Sequence, residues 1–169
     1  MSIASSLLPE FDTEIANTRR MVERVPDGKA DWRPHPKSMP LGRLATHLSE
    51  LPVWAVNACT QDELDIAPPG KKPYKPQILD ATMAIVAQLD KNAADARKAL
   101  AATSDPDFMK PWTLKVSGKA VFTLPKITVV RSMVMNHMIH HRGQLSVFLR
   151  LLDVPVPATY GPSADERGG

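Results

Sequence analysis

Residues 127–152 read ITVVRSMVMNHMIHHRGQLSVFLRLL and carry the longest apolar stripe of helical period in the sequence. The stripe steps by three or four residues through Val130, Val134, His137, His141, Leu145, Phe148 and Leu152. This period predicts one long helix with a single apolar face, from about residue 127 to 152. Histidines occupy two positions of the stripe where a core would ordinarily place leucine.

The two histidines, His137 and His141, lie one turn apart on the same helix face. Burying an imidazole without a partner costs a few kcal/mol, so an adjacent pair requires an explanation. Imidazoles at this spacing can point at one metal ion, as they do in zinc-binding helices. His47 is the predicted third ligand because it lies between Leu44 and Leu51 on the inward face of an earlier helix. Taken alone, His47 would more often be a hydrogen-bonded core residue.

Three neutral ligands and no carboxylate would leave at least one open position on the ion, which is typical of catalytic rather than structural zinc. Zinc and nickel are the ions we expect first, although imidazole also suits copper and iron. Neighbouring polar residues, His140, Asn136 and Gln144, are predicted to support the ligand imidazoles. Glu50 is a candidate general base, or an exposed glutamate on a helix. Arg142 is predicted to hold an anionic substrate, or to form an ion pair at a helix surface.

Three further helices are predicted, over about residues 6–25, 39–58 and 75–102. Ser38 is the predicted N-cap of the second, and Pro52 should kink that helix. Leu79 and Met83 should face inward on the third. The polar, proline-rich residues 60–76 are too many for a tight turn, so they could carry the chain back across a bundle. Residues 108–124 contain short runs of residue types that favour β-strands, which predict a short hairpin or extended flap before the last helix.

Composition limits the classes of protein that this chain can be. Its 169 residues, 43% hydrophobic and 23% charged, predict one globular domain over residues 1–169. The sequence has no apolar run long enough to span a membrane, and we expect no signal peptide at its start. The single Cys59 is typical of a reducing compartment, so we expect a cytoplasmic protein. The 21 Lys and Arg exceed the 18 Asp and Glu by only three. These charges are scattered, which predicts no nucleic-acid partner, although a weak positive field could attract an anionic substrate.

Three parts of the sequence resemble the DinB family of metalloproteins: residues 137–152, the tail of residues 154–166, and residues 32–48 before the first histidine. The resemblance implies an all-α four-helix bundle in up-down-down-up order, usually a homodimer. It also implies one divalent metal ion on His47, His137 and His141. Similar proteins include transferases and isomerases that use a low-molecular-weight thiol such as bacillithiol or mycothiol. The resemblance implies no DNA binding.

Three functions remain open from the sequence. The first is a thiol-dependent S-transferase that acts on a small electrophilic substrate, in which the metal activates the thiol. The second is a metal-dependent hydrolase that activates water. The third is a non-catalytic bundle whose metal ion has only a structural role, holding two helices together.

Overall fold

The computed structural model describes residues 2–72 and 75–166 of the chain. About 55% of these described residues are helical. The helices are α1 (Ile3–Val22), α2 (Leu41–Glu50), α3 (Pro52–Thr60), α4 (Thr82–Ala102), the short α5 (Asp105–Phe108), α6 (Lys126–Val129) and α7 (His137–Leu151). A π-helical segment, Val130–Asn136, joins α6 to α7 without a break. The strands are β1 (Glu63–Asp65), β2 (Pro111–Val116) and β3 (Lys119–Pro125).

The helix α2 begins later than the sequence predicts, and Ser38 is not its N-cap. The amide of Leu41 donates to the carbonyl of Trp32 (2.8 Å), and the amide of Gly42 donates to that of Ala30 (2.9 Å). Backbone carbonyls of the preceding loop therefore satisfy the free amides of the first turn. A Cβ at Gly42 would lie 2.8 Å from the Cβ of Ala30, so this close approach of loop and helix requires glycine.

The helix is interrupted at Pro52, the position where the sequence predicts a kink. The helix carrying His47 ends at Glu50 and resumes as α3 at Pro52, with Leu51 still in helical conformation (φ −56°, ψ −37°). Because proline has no amide hydrogen, one backbone bond is lost there and the two segments can bend against each other.

The third long helix starts at Thr82, so the predicted start near residue 75 is wrong. Tertiary hydrogen bonds hold the preceding segment against α2: Arg43 donates to the carbonyl of Gln77, and the amide of Leu79 donates to the hydroxyl of Thr46. Thr82 itself is fixed by Asp27, which accepts from both its amide and its hydroxyl. Met83, predicted to face inward, is 78% exposed.

The predicted hairpin exists, and it belongs to a larger sheet that the sequence does not predict. Strands β2 and β3 pair antiparallel, and β1 adds to β2 in parallel, giving the order β1-β2-β3. The chain is therefore mostly helical with a small sheet, and not all-α as the sequence predicts. Strand β1 was missed because its three residues lie in a polar loop and gain their hydrogen bonds only from β2.

The core lies between the long helices. Helix α1 and the pair α2–α3 each pack against α4 and against the helix formed by α6, the π-helical segment and α7. Large side chains that are fully buried there include Leu7, Phe11, Leu44, Leu48, Leu89 and Leu100. Within the described ranges, no helix combines the length and the apolar character needed to span a membrane.

Candidate metal centre

Three histidine rings meet where α2 faces the start of α7. The Nε2 atom of His137 lies 3.4 Å from that of His47 and 2.8 Å from that of His141. The candidate ligand atoms of all three lie within 4.8 Å of one another. The apolar stripe of the last helix explains this position, since it turns His137 and His141 inward toward α2. The structure thus brings together the three residues that the sequence predicts as ligands.

The outer nitrogens of two rings face hydrogen-bond acceptors. Nδ1 of His141 lies 2.7 Å from Oε1 of Gln144, and the backbone carbonyl of Met133 accepts a bond from the ring of His137. A neutral imidazole that donates through one nitrogen presents a lone pair on the other. These bonds therefore favour the tautomer whose free lone pair points into the cluster, as metal-bound histidine usually requires.

The carbonyl of Met133 lies in the π-helical segment immediately before His137. Such wide turns are rare and occur often at functional sites. The sequence does not predict it, because a segment of under two turns is too short for the apolar spacing to separate a π-helix from an α-helix.

The third ring, His47, is held on its outer side by a charged pair. Arg43 binds Glu50 at 2.7 Å, and Nδ1 of His47 lies 3.3 Å from the Arg43 guanidinium and 3.7 Å from the Glu50 carboxylate. Glu50 therefore stands behind the ring, away from the point where the Nε2 atoms meet. Its predicted role as a general base remains a prediction, and its position suits a group that orients His47.

Burial keeps the three imidazoles neutral. Burial, with smaller contributions from the neighbouring histidines and Arg43, lowers the pKa of His47 to about 4. Burial also lowers the pKa of His137 and of His141. Neutral rings are the form that binds a metal ion.

The same shifts predict how the metal-free protein responds to pH. The unfolded histidines take up protons near pH ~6.5 while the folded ones stay neutral, so the unfolded state binds more protons and stability falls as pH drops. In the presence of a chelator, the melting temperature should therefore decrease as the pH is lowered from about 7 to about 5. This pH range lies above the usual pKa values of Asp and Glu. The substitution His47→Gln, which cannot titrate, should make this dependence shallower. An equal slope in the variant would contradict the prediction.

The donor set fits a borderline divalent ion. Two nitrogens at about 2.1 Å from one tetrahedral ion lie about 3.4 Å apart. The separation between His47 and His137 already has this value, and that between His137 and His141 would have to widen slightly. The described residues contribute no further His, Cys, Asp or Glu to the group, so three protein ligands leave room for an exogenous one.

A cleft of about 450 Å³ opens beside His141. Its walls are mainly apolar, and its mouth is formed by the loop before α2. The lining residues are Lys37, Ser38, Met39, Leu44, His141, Gln144, Val147 and Phe148. A small molecule in this cleft would lie against the edge of the histidine cluster.

The other predicted supporting residues lie at different distances from the cluster. His140 is exposed, and its Nε2 atom is 3.1 Å from the side-chain amide nitrogen of Gln144, the residue that contacts His141. Asn136 is exposed at the end of the π-helical segment. Among the described residues, Gln144 hydrogen-bonds the His141 ring, and the His140 ring packs edge-on against it, with 5.0 Å between centroids.

Arg142 points away from the histidines, and its predicted ion pair is buried, not at a surface. It binds the carboxylate of Glu14 on α1 at 2.7 Å, and the two side chains are 3% and 7% exposed. It also donates to the carbonyl of Glu14, to the hydroxyl of Thr18 and to Tyr160 in the tail. All of these contacts lie within the protein, so the structure favours a structural role for Arg142 over the predicted binding of an anionic substrate. The sequence offered no signal of this cluster, which joins positions 128 and 146 residues apart.

The model of the DinB superfamily matches residues 10–145, which is most of the chain. The chain belongs to the DinB superfamily. A search of curated proteins finds no match. The DinB fold is also found in solved structures. A DinB-like protein from Bacillus cereus is 21% identical, with a TM-score of 0.71 over 94% of this chain and 98% of that one. A DinB-like protein from Bacillus subtilis is 13% identical, with a TM-score of 0.70 over 96% and 99%. The DinB match confirms the family that the sequence resembles.

Proposed function

We propose that this DinB protein is a metal-dependent enzyme in which His47, His137 and His141 hold one divalent ion, zinc or nickel, that activates a low-molecular-weight thiol. The thiol is transferred to a small electrophilic substrate. The observation that carries the proposal is the convergence of three neutral imidazoles beside an open cleft. A purely structural zinc site would be expected to have four protein ligands.

A bound divalent ion would act as a Lewis acid that lowers the pKa of a thiol or a water molecule. The residues of the chain supply the rest. The three rings, being uncharged, leave the full charge of the ion available, and Gln144 and Glu50 fix the rings from behind. Leu44 and Phe148 give the cleft an apolar wall. In the reaction, the thiol loses its proton, its sulfur bonds to an electrophilic carbon, and the bond from that carbon to the leaving group breaks. The leaving group departs with the electron pair, as chloride does from monochlorobimane.

The position of Glu50 favours thiol activation over hydrolysis. Hydrolysis commonly uses a general base beside the attacking water. The Glu50 carboxylate lies on the outer side of His47, paired with Arg43. A thiol has a much lower pKa than water and needs no such base once its pKa is lowered further.

The test is consumption of an electrophile by metal-loaded protein. Protein loaded with zinc or nickel is mixed with monochlorobimane and with cysteine, glutathione, bacillithiol or mycothiol in turn, and adduct fluorescence is followed. We expect one thiol to give a rate well above the uncatalysed one, and the variant His47→Ala to lose it. No acceleration with any thiol would contradict the proposed transfer.

Two parallel measurements separate the alternatives. Hydrolysis of nitrophenyl acetate without thiol, lost in His47→Ala, would support the hydrolase. A stapling role predicts no turnover in either assay and a large fall in melting temperature when the metal is chelated. The transferase predicts thiol-dependent turnover whatever the size of that fall.

We also infer the arrangement and setting of the molecule. The long connection between α3 and α4 and the packing of α1 and of α2–α3 each against the same two helices support an up-down-down-up four-helix bundle. The DinB resemblance supports a homodimer. The single Cys59 supports a cytoplasmic location, and the scattered charge supports a small-molecule substrate instead of a nucleic acid.

A further inference from the structure

The two chain segments that build the cleft contain no acidic residue. Residues 32–49 include Arg33, Lys37 and Arg43 but neither Asp nor Glu, and residues 108–152 are equally free of both. Every carboxylate near these walls must therefore come from elsewhere in the chain. The cations of these two segments therefore depend on carboxylates of other segments for their ion pairs.

Much of this positive charge is already compensated. Arg43 pairs with Glu50, Arg142 with Glu14, Arg131 with Glu10, and Arg150 with Asp165. Lys37, which lines the cleft, is different: within residues 2–72 and 75–166 no carboxylate oxygen lies within 4.0 Å of its ammonium group.

The loop that carries Lys37 has a defined shape. The amide of Lys37 donates to Nδ1 of His35 at 3.2 Å, and the amide of Ser38 donates to the carbonyl of His35 at 2.9 Å. Behind the cleft, the ring of Trp32 packs edge-on against Phe148, with 5.6 Å between centroids. These contacts give the loop backbone a defined shape, and the side chain that this loop presents to the cleft is Lys37.

The cleft thus has three chemically distinct zones. His141 borders one side, Leu44, Val147 and Phe148 form an apolar wall, and Lys37 supplies an uncompensated cation. A ligand that matches all three would carry a metal-binding group, an apolar body and an anionic group.

We propose that the cleft takes a small molecule with a thiol or similar donor at one end and a carboxylate or other anionic group at the other, and that Lys37 selects for the anionic group. This rests on the proposed metal binding at the three histidines. Lys37 is therefore a specificity-determining residue, and it has no part in holding the metal.

The experiment uses cobalt-loaded protein, because thiolate binding to cobalt produces a charge-transfer band. Straight-chain mercaptocarboxylates are titrated against mercaptoalcohols of the same chain length, which differ only in the terminal group. In wild-type protein we expect the best-fitting carboxylate to bind about fivefold more tightly than its alcohol, the size of one exposed ion pair. Added salt should reduce this preference.

Variants assign the preference to one side chain. Lys37→Ala should abolish it, Lys37→Arg should keep it, and Lys37→Glu should reverse it in favour of the alcohol. Lys119→Ala, on the hairpin and outside the cleft, removes an equal charge and should change nothing.

The outcomes distinguish the two proposals. Failure of cobalt to bind would overturn both. Cobalt binding with equal affinity for carboxylate and alcohol at every chain length, or a preference that survives in Lys37→Ala, would overturn the selection by Lys37 alone.

Discussion

Replacing His137 by alanine should remove nearly all bound metal, from about one equivalent per chain to a small fraction. Its Nε2 atom is 3.4 Å from that of His47 and 2.8 Å from that of His141, so it stands between the other two. Loss of a residue that merely orients a ligand usually costs 10–100-fold in affinity, so loss of a ligand should cost more than about 100-fold. Elemental analysis of tag-free protein and competition with a chelator of known affinity measure this directly.

His140→Ala provides a matched control for that measurement. It removes the same side chain from the same helix, but His140 is exposed and its described hydrogen bond is to Gln144, with no hydrogen bond to the other rings. We expect it to keep about one equivalent of metal. Equal metal content in wild type and His137→Ala, or no uptake by either on titration, would contradict the proposed metal site.

The sequence predicted which three histidines meet because much of their signal is local. Two histidines on one apolar stripe of a helix require only a helical period, and His47 shares an inward face with Leu44 and Leu51. The interruption of the helix at Pro52 was predictable for the same reason, since it follows from the covalent structure of proline. What these features share is that no distant residue is needed to define them.

The features that the sequence did not predict depend on contacts between distant segments. Strand β1 forms because β2 offers it hydrogen bonds. Helix α4 starts at Thr82 because Thr46 accepts a bond from the amide of Leu79 and Asp27 accepts one from the amide of Thr82. Nothing in the composition of the π-helical segment before His137 separates it from an α-helix, so the sequence does not predict it. Neither predicted role of Arg142, a substrate contact or an ion pair at a surface, anticipates its burial, because its partner Glu14 is 128 residues away.

The variant Arg142→Met should destabilise the protein by about 3–5 kcal/mol, because it leaves the buried carboxylate of Glu14 without its cation. The arginine is 3% exposed and also binds Thr18 and Tyr160, so it joins α7, α1 and the tail. Chemical denaturation of the metal-free protein measures the change without a contribution from metal binding. The double variant Glu14→Leu with Arg142→Met should recover part of the loss, since the unpaired charge is then gone.

A second arginine on the same long helix separates the effect of burial from that of ion pairing. Arg131 pairs with Glu10 of α1 at 3.1 Å, with the two side chains 50% and 41% exposed. Arg131→Met should cost less than about 1 kcal/mol, because water screens this pair and solvates the carboxylate that remains. Both substitutions break one arginine–glutamate pair between the same two helices, so a large difference between them can only come from burial and the added contacts of Arg142. If the two variants lose the same stability, the buried cluster does not hold the tail and α1 against the helix that carries His137 and His141.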